Sequence, residues 1–258
     1  MADLVRVHPH ENGAYWHVVF GEGKGNILDA GAIDALGRTF VQARETAGLK
    51  AICLDGAGAD FSFGASVQEH LPGEVRQMLG RFQRLLLDLL ESQVVVLAAV
   101  RGRCLGGGLE LATLCHRVFA ARDAQFGQPE IALGVFAPFA SILLPGRVGR
   151  PAAEELCLTG RIIPAGEARH IGLVEEIVDS DPAEAAIAWA RANLATVSAS
   201  SLRLAVKAMR IGTIARLREQ LPAIEALYLD ELMKTTDAVE GLKAFLEKRK
   251  PVWDHGQG

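Results

Sequence analysis

The sequence predicts an α/β fold: a mostly parallel sheet under helical cover, followed by a helical C-terminal third. Three observations carry this. Short β-rich runs that end in glycine alternate with longer stretches of helical periodicity through the first half. A strand–helix–strand rhythm needs crossover connections, so successive strands lie parallel. Residues 181–250 are rich in Ala, Leu, Glu, Lys and Arg and contain no β-rich run. The expected division is a core over residues 1–180, carrying the site, and a helical region over 181–258 that packs on the core or on a second subunit.

WHVVFG (16–21) and LKAICLDGAG (49–58) read as strands that run into loops. Between them, Ile33, Leu36, Phe40 and Val41 recur at spacings of three and four, which predicts a helix over 29–48 with one buried face and Gly48 as its stop. The alternation then repeats. Residues 74–92 are helical, QVVVLAAVRG (93–102) is a buried strand, and a second helix begins in the glycines that follow. Residues 117–127 read as a strand and then a turn.

Composition narrows the function. Half of the 258 residues are hydrophobic, as in a protein with a real core. A net charge of -4 argues against nucleic acid as the main partner. The apolar run VVVLAAV is too short to span a membrane and is stopped by Arg101. The N-terminal residues lack the apolar core of a secretory signal. Cys53, Cys104, Cys115 and Cys157 form no CxxC pair, so no zinc site is expected; buried thiols in a reducing cytoplasm fit them best.

The chemistry is concentrated in CLGGGLELATLC (104–115). A helix that starts in glycines presents free N–H groups and partial positive charge to a ligand that approaches the backbone closely. That suits an anion or an oxyanion. The run is neither GxGxxG nor a GxxxxGK loop followed by Ser or Thr. Close helix–strand packing is the alternative reason for three glycines. A similar small-residue turn, Gly64-Ala65-Ser66, follows the strand AICLD, and two such turns aimed at one oxygen make an oxyanion hole.

Two carboxylates stand in apolar surroundings. Glu110 lies in the first turn of the glycine-started helix, where it either complements the helix dipole or serves chemistry. Glu130 follows Pro129, 20 residues on, and precedes IALG. Burial raises a carboxyl pKa, which suits an acid or base near neutral pH.

Together these stretches resemble the crotonase (enoyl-CoA hydratase/isomerase) superfamily. GRCLGGGLELATLCHRVFAARDAQFGQPEIALG resembles its central motif, DFSFGAS its first oxyanion turn, LTGRIIPAGEARHIGLVEEIV the segment after the active site, and EGLKAFLEKRKPVW its C-terminal end. The resemblance implies a spiral of repeated ββα turns with a helical C-terminal trimerisation region. It implies that the Ala65 and Gly107 N–H groups hold a thioester carbonyl oxygen, and that Glu110 and Glu130 are an acid/base pair whose individual parts stay open. It places Lys24 and Asn26, in GKGNILD, along the CoA moiety, and Phe245 and Lys248 at C-terminal positions that reach CoA. The implied partners are an acyl-CoA thioester and further copies of the chain, as a trimer or a dimer of trimers. No metal or redox cofactor is implied, CoA being part of the substrate.

Departures from the superfamily pattern bear on the substrate. Ser66 and His116 stand where aspartates are common; Ser66 is expected, with Phe63, along the substrate, and His116 reads as structural. The glycine-rich turn after the second glutamate is replaced by GVFAPFASILLPGR, with bulky Phe136 and Phe139 beside the acyl pocket; Phe61 and Phe63 add further aromatic surface. This resembles the subfamily that hydrates cyclohexa-1,5-diene-1-carbonyl-CoA in anaerobic aromatic degradation. The alternatives are a general enoyl-CoA hydratase, an acyl-CoA isomerase or C–C hydrolase, and a non-catalytic acyl-CoA or RNA binder.

Overall fold

Six consecutive buried residues, Val95–Val100, form the hub of the main sheet. Such a run fits a parallel strand covered on both faces. The computed structural model describes residues 4–255. In chain order its strands and helices are β1 (Val5–His10), β2 (Tyr15–Phe20), α1 (Ala30–Glu45), β3 (Ala51–Gly56), α2 (Val75–Glu91), β4 (Val95–Val100), β5 (Arg103–Leu105) and α3 (Gly107–Thr113). There follow β6 (Arg117–Ala121), β7 (Gln125–Gly127), α4 (Pro138–Val148), α5 (Arg150–Thr159), β8 (Ile162–Pro164), α6 (Ala165–His170), β9 (Glu176–Val178), α7 (Pro182–Leu194), α8 (Ala199–Ala226) and α9 (Thr236–Leu246).

The main sheet has the order β1-β2-β3-β4-β6-β9. Only β1 and β2 pair antiparallel; the other neighbours are parallel. A second sheet, β5-β7-β8, stands beside it. The α/β architecture and the helical C-terminal region expected from the sequence are therefore present. Helix α1 buries Ile33, Leu36 and Phe40, each contributing about 1.5–3 kcal/mol on leaving water. Asp29 caps its N-terminus by accepting from the Ala32 N–H at 2.9 Å.

Helix α1 stops at Thr46 and not at Gly48. The Thr46 N–H reaches the Gln42 and Ala43 carbonyls while its backbone turns extended. Gly48, at φ +83, belongs to the turn that leads into β3. Five strands escaped the sequence pattern: β1, which carries Pro9 at the sheet edge, and the three-residue β5, β7, β8 and β9, β7 lying where a turn was expected.

Among the described residues after 181, regular structure is helical. Helix α7 lays Ala183, Ala186, Ile187 and Ala190 on the sheet face that carries Leu97 and Phe119. No helix among the described residues is long and apolar enough to cross a membrane.

Candidate active site

The two small-residue turns meet. Residues 62–65 pass between two other segments, with bridges Leu28↔Ala65 on one side and Ser62↔Cys104 on the other. The Gly64 carbonyl accepts from Leu28 N–H at 2.9 Å, and Ser66 N–H donates to the Leu28 carbonyl at 3.4 Å. The bridge to Leu28 thus uses groups of Gly64 and Ser66, which leaves the Ala65 N–H on the side toward α3. There it faces the first residue of that helix: a Cβ on Gly107 would stand 3.2 Å from Ala65 N, and one on Gly64 would stand 2.9 Å from Gly107 N. Among the described residues neither N–H has a protein acceptor. Gly106, at φ +53, makes the bend that starts α3. Ser62 locks the first turn, its Oγ donating to the Asn26 carbonyl at 2.8 Å and accepting from Gly64 N–H at 3.0 Å.

The glutamates converge on the same place from opposite sides. Glu110 is 4% exposed on α3. Its Oε1 accepts from Ala140 N–H at 2.7 Å, at the N-terminus of α4. Burial pushes its carboxyl up to about 7, and the Ala140 and Phe139 N–H groups hold it below where burial alone would leave it. Glu130 rises into the site from the 3₁₀ turn Pro129–Leu133, and a Cβ on Gly106 would sit 2.6 Å from its Oε1. Burial first, then the charge of Glu110, pushes Glu130 to about 8. The two carboxylates therefore titrate as a pair that avoids double ionisation near neutral pH. Helix α4's N–H groups favour Glu110 as the ionised member.

Gln128 completes the pair, although no sequence pattern marks it. Its side chain is fully buried, with an amide atom 3.0 Å from Glu130 Oε2 and 3.1 Å from Oε1. An ionised Glu130 accepts from the amide nitrogen; a protonated Glu130 donates to the amide oxygen.

A model of the enoyl-CoA hydratase/isomerase family matches residues 18–256. The chain belongs to that family. It is 47% identical over 251 residues to cyclohexa-1,5-dienecarbonyl-CoA hydratase of Thauera aromatica, covering 97% of each chain. It is 37% identical to a probable enoyl-CoA hydratase of Bacillus subtilis, over 88% of this chain and 90% of the relative. Among solved structures, an enoyl-CoA hydratase from Mycobacterium avium subsp. paratuberculosis superposes with a TM-score of 0.83 at 25% identity, covering 97% of this chain and 98% of that one. The expected crotonase membership and fold are borne out.

Glu110, Glu130 and the Ala65–Gly107 pair of turns border one narrow cleft. Its walls are apolar and include Met78, Leu79, Phe82, Val135, Phe136 and Phe139. Phe139 is buried against Phe82, ring centroids 5.3 Å apart. Phe136 packs edge-on against Tyr228 at 5.0 Å. Phe63 stands at the cleft with Arg103 over its ring, whereas Phe61 is buried beneath, against Phe20. A more open cleft lined by His116, Arg147, Arg210 and Arg216 lies elsewhere and contains neither the acids nor the N–H turn. His116 is held there as neutral imidazole, pushed down to about 3 by burial and by Arg210, with Nδ1 accepting from Val96 N–H.

Other residues expected along CoA or the substrate fall outside the cleft walls. The Asn26 side chain is fully engaged by protein: its Nδ2 donates to the Ala57, Asp60 and Phe61 carbonyls, and its Oδ1 accepts from Gly23 N–H. Its side chain therefore shapes the loop that carries Lys24, which is exposed. Ser66 offers its carbonyl to His70 Nδ1 at 2.7 Å. Phe245 and Lys248 stand exposed at the end of α9, the helix that sends Leu242 into the cleft.

Proposed function

We propose that the protein is a hydratase of conjugated acyl-CoA thioesters, with cyclohexa-1,5-diene-1-carbonyl-CoA as its substrate. One observation carries the reading: a buried Glu110 and a half-buried Glu130 share one cleft, with no cation on either among the described residues, beside two backbone N–H donors. The thioester oxygen accepts from Ala65 and Gly107 N–H. Each donor contributes about 3–4 kcal/mol as negative charge gathers on that oxygen. Glu110, the member that ionises more readily, takes a proton from water, and the oxygen adds to the β-carbon. The electron pair moves into an enolate held by the two N–H groups. Glu130 then delivers its proton to the conjugated carbon system. Acid/base chemistry and an oxyanion hole need no cofactor beyond the substrate's own CoA.

The aromatic-walled cleft supports an alicyclic acyl group, as does the identity to the Thauera aromatica hydratase. Lys24, Phe245 and Lys248 are assigned to the CoA moiety, the last two across a subunit boundary. Exposed Leu204, Met209 and Ile211 on α8 support assembly into a trimer or a dimer of trimers. A cytoplasmic setting keeps the four free cysteines reduced. The test is hydration of cyclohexa-1,5-diene-1-carbonyl-CoA beside crotonyl-CoA, followed at the conjugated thioester's absorbance. Faster turnover of the cyclic substrate is expected. Turnover of crotonyl-CoA alone would make the protein a general enoyl-CoA hydratase.

A further inference from the structure

The largest fully buried side chain among the described residues is Tyr228, and its hydroxyl has no protein hydrogen-bond partner. Stranding a hydroxyl in an apolar core costs free energy that phenylalanine would avoid while filling the same space. Packing explains the ring, which meets Phe136 edge-on at 5.0 Å where Phe136 lines the acyl cleft. The hydroxyl needs a separate explanation, and its surroundings supply one. Tyr228 stands directly behind Phe136, a wall of the cleft that also holds Glu110 and Glu130, and burial, then the charges of Glu130 and Glu110, push its ionisation well up, so the phenol stays a donor. The backbone adds a second sign. Tyr228 sits in a π-helical turn, Leu227–Glu231, that follows α8. Such turns are rare and gather at functional sites.

We infer that Tyr228 is a further polar group of the active site, whose hydroxyl donates to the oxygen handled by the glutamate pair: water before addition, the acyl hydroxyl after it. The inference rests on the hydratase reading, and its test separates the two. In Tyr228→Phe the packing stays and only the stranded hydroxyl goes. The free variant should melt no lower than the wild type. Its kcat/KM for any enoyl-CoA that the wild type hydrates should fall roughly tenfold, the weight of one neutral hydrogen bond. A second measurement needs no turnover. In the wild type, 3-hydroxybutyryl-CoA should raise the melting temperature more than butyryl-CoA does, and in Tyr228→Phe that difference should shrink. A wild type that hydrates no enoyl-CoA overturns the hydratase reading. Unchanged kinetics in Tyr228→Phe overturn the role of Tyr228 and leave the hydratase standing. So does a melting difference between the two thioesters that is equal in both proteins or absent from both. A marked fall in the melting temperature of the free variant would give the hydroxyl a structural partner, and would overturn it as well.

Discussion

Glu130 and Glu240 are the same side chain put to opposite uses. Glu240, on α9, is gripped by Arg249, whose Nη2 donates to Oε2 at 2.8 Å, and by the Val252 N–H at 2.8 Å. Those donors hold its carboxyl down at about 2. Glu130 has no cation, shares its cavity with a second acid, and is pushed up to about 8. The paired glutamate fastens the C-terminal end to α9. The unpaired one keeps a proton available at neutral pH. A buried carboxylate without a cation is unfavourable for folding, so its presence asks for a chemical reason.

Removing either acid should give the largest effect. Glu110→Gln or Glu130→Gln is expected to lower kcat by about 10²–10⁴-fold, the usual weight of a general acid or base, with the fold intact by circular dichroism. Glu240→Gln should leave kcat within about twofold. Full activity in Glu110→Gln would point instead to an isomerase working with one acid. Next in size is Gln128→Leu. It keeps the buried volume but frees the Glu130 carboxyl, and displacing a catalytic group by about 1 Å can cost about 10²-fold. The fall should appear in kcat more than in KM. An unchanged kcat would show that the Pro129 turn alone aims Glu130.

Phe139→Ala separates the cleft from the C-terminal end in a third way. It removes a fully buried ring from the contact with Phe82 and should cost about 3–5 kcal/mol in denaturant unfolding. Phe136→Ala, half-buried at the cleft, should cost less stability and relax the preference for a cyclic acyl group toward crotonyl-CoA. An unchanged ratio of the two kcat/KM values would remove Phe136 from substrate selection.

The sequence made some of this legible and hid the rest for physical reasons. β4 and α1 could be read because an unbroken apolar run and a three-four periodicity are local patterns. β1 could not, since Pro9 and two histidines mask an edge strand. Glu110 and Glu130 stood out as acids in apolar company, and the glycines announced a close approach. Gln128 and Tyr228 carried no such mark: an amide before a proline, and one aromatic in a long helical run. Their meaning comes from what the fold places opposite them. Asn26 shows the reverse. The resemblance of its loop to a CoA-binding segment was legible, but its side chain bonds inward, to carbonyls brought from residues 57–61.

The smallest expected effect is in stability against pH, where the two kinds of glutamate should give slopes of opposite sign. A carboxyl at 4.5 when unfolded and at about 7 or 8 when folded binds more protons in the native state, as Glu110 and Glu130 do. Their contribution is fully present below 4.5 and is lost as pH rises through 7–8. Glu240, at about 2 when folded, works the other way: its contribution is present above 4.5 and is lost as pH falls toward 2. Melting temperatures measured from about pH 3 to pH 9 should therefore show an alkaline decline that is shallower in Glu130→Gln, and an acid decline that is shallower in Glu240→Gln. The acid-side difference should be slight, because Arg249 and Glu240 lie partly in water, and should fade further in high salt. If Glu130→Gln kept the wild-type alkaline slope, the pair would be ionising freely and its acid/base assignment would fail. If Glu240→Gln alone changed that slope, the proton held at neutral pH would belong to the C-terminal end and not to the cleft.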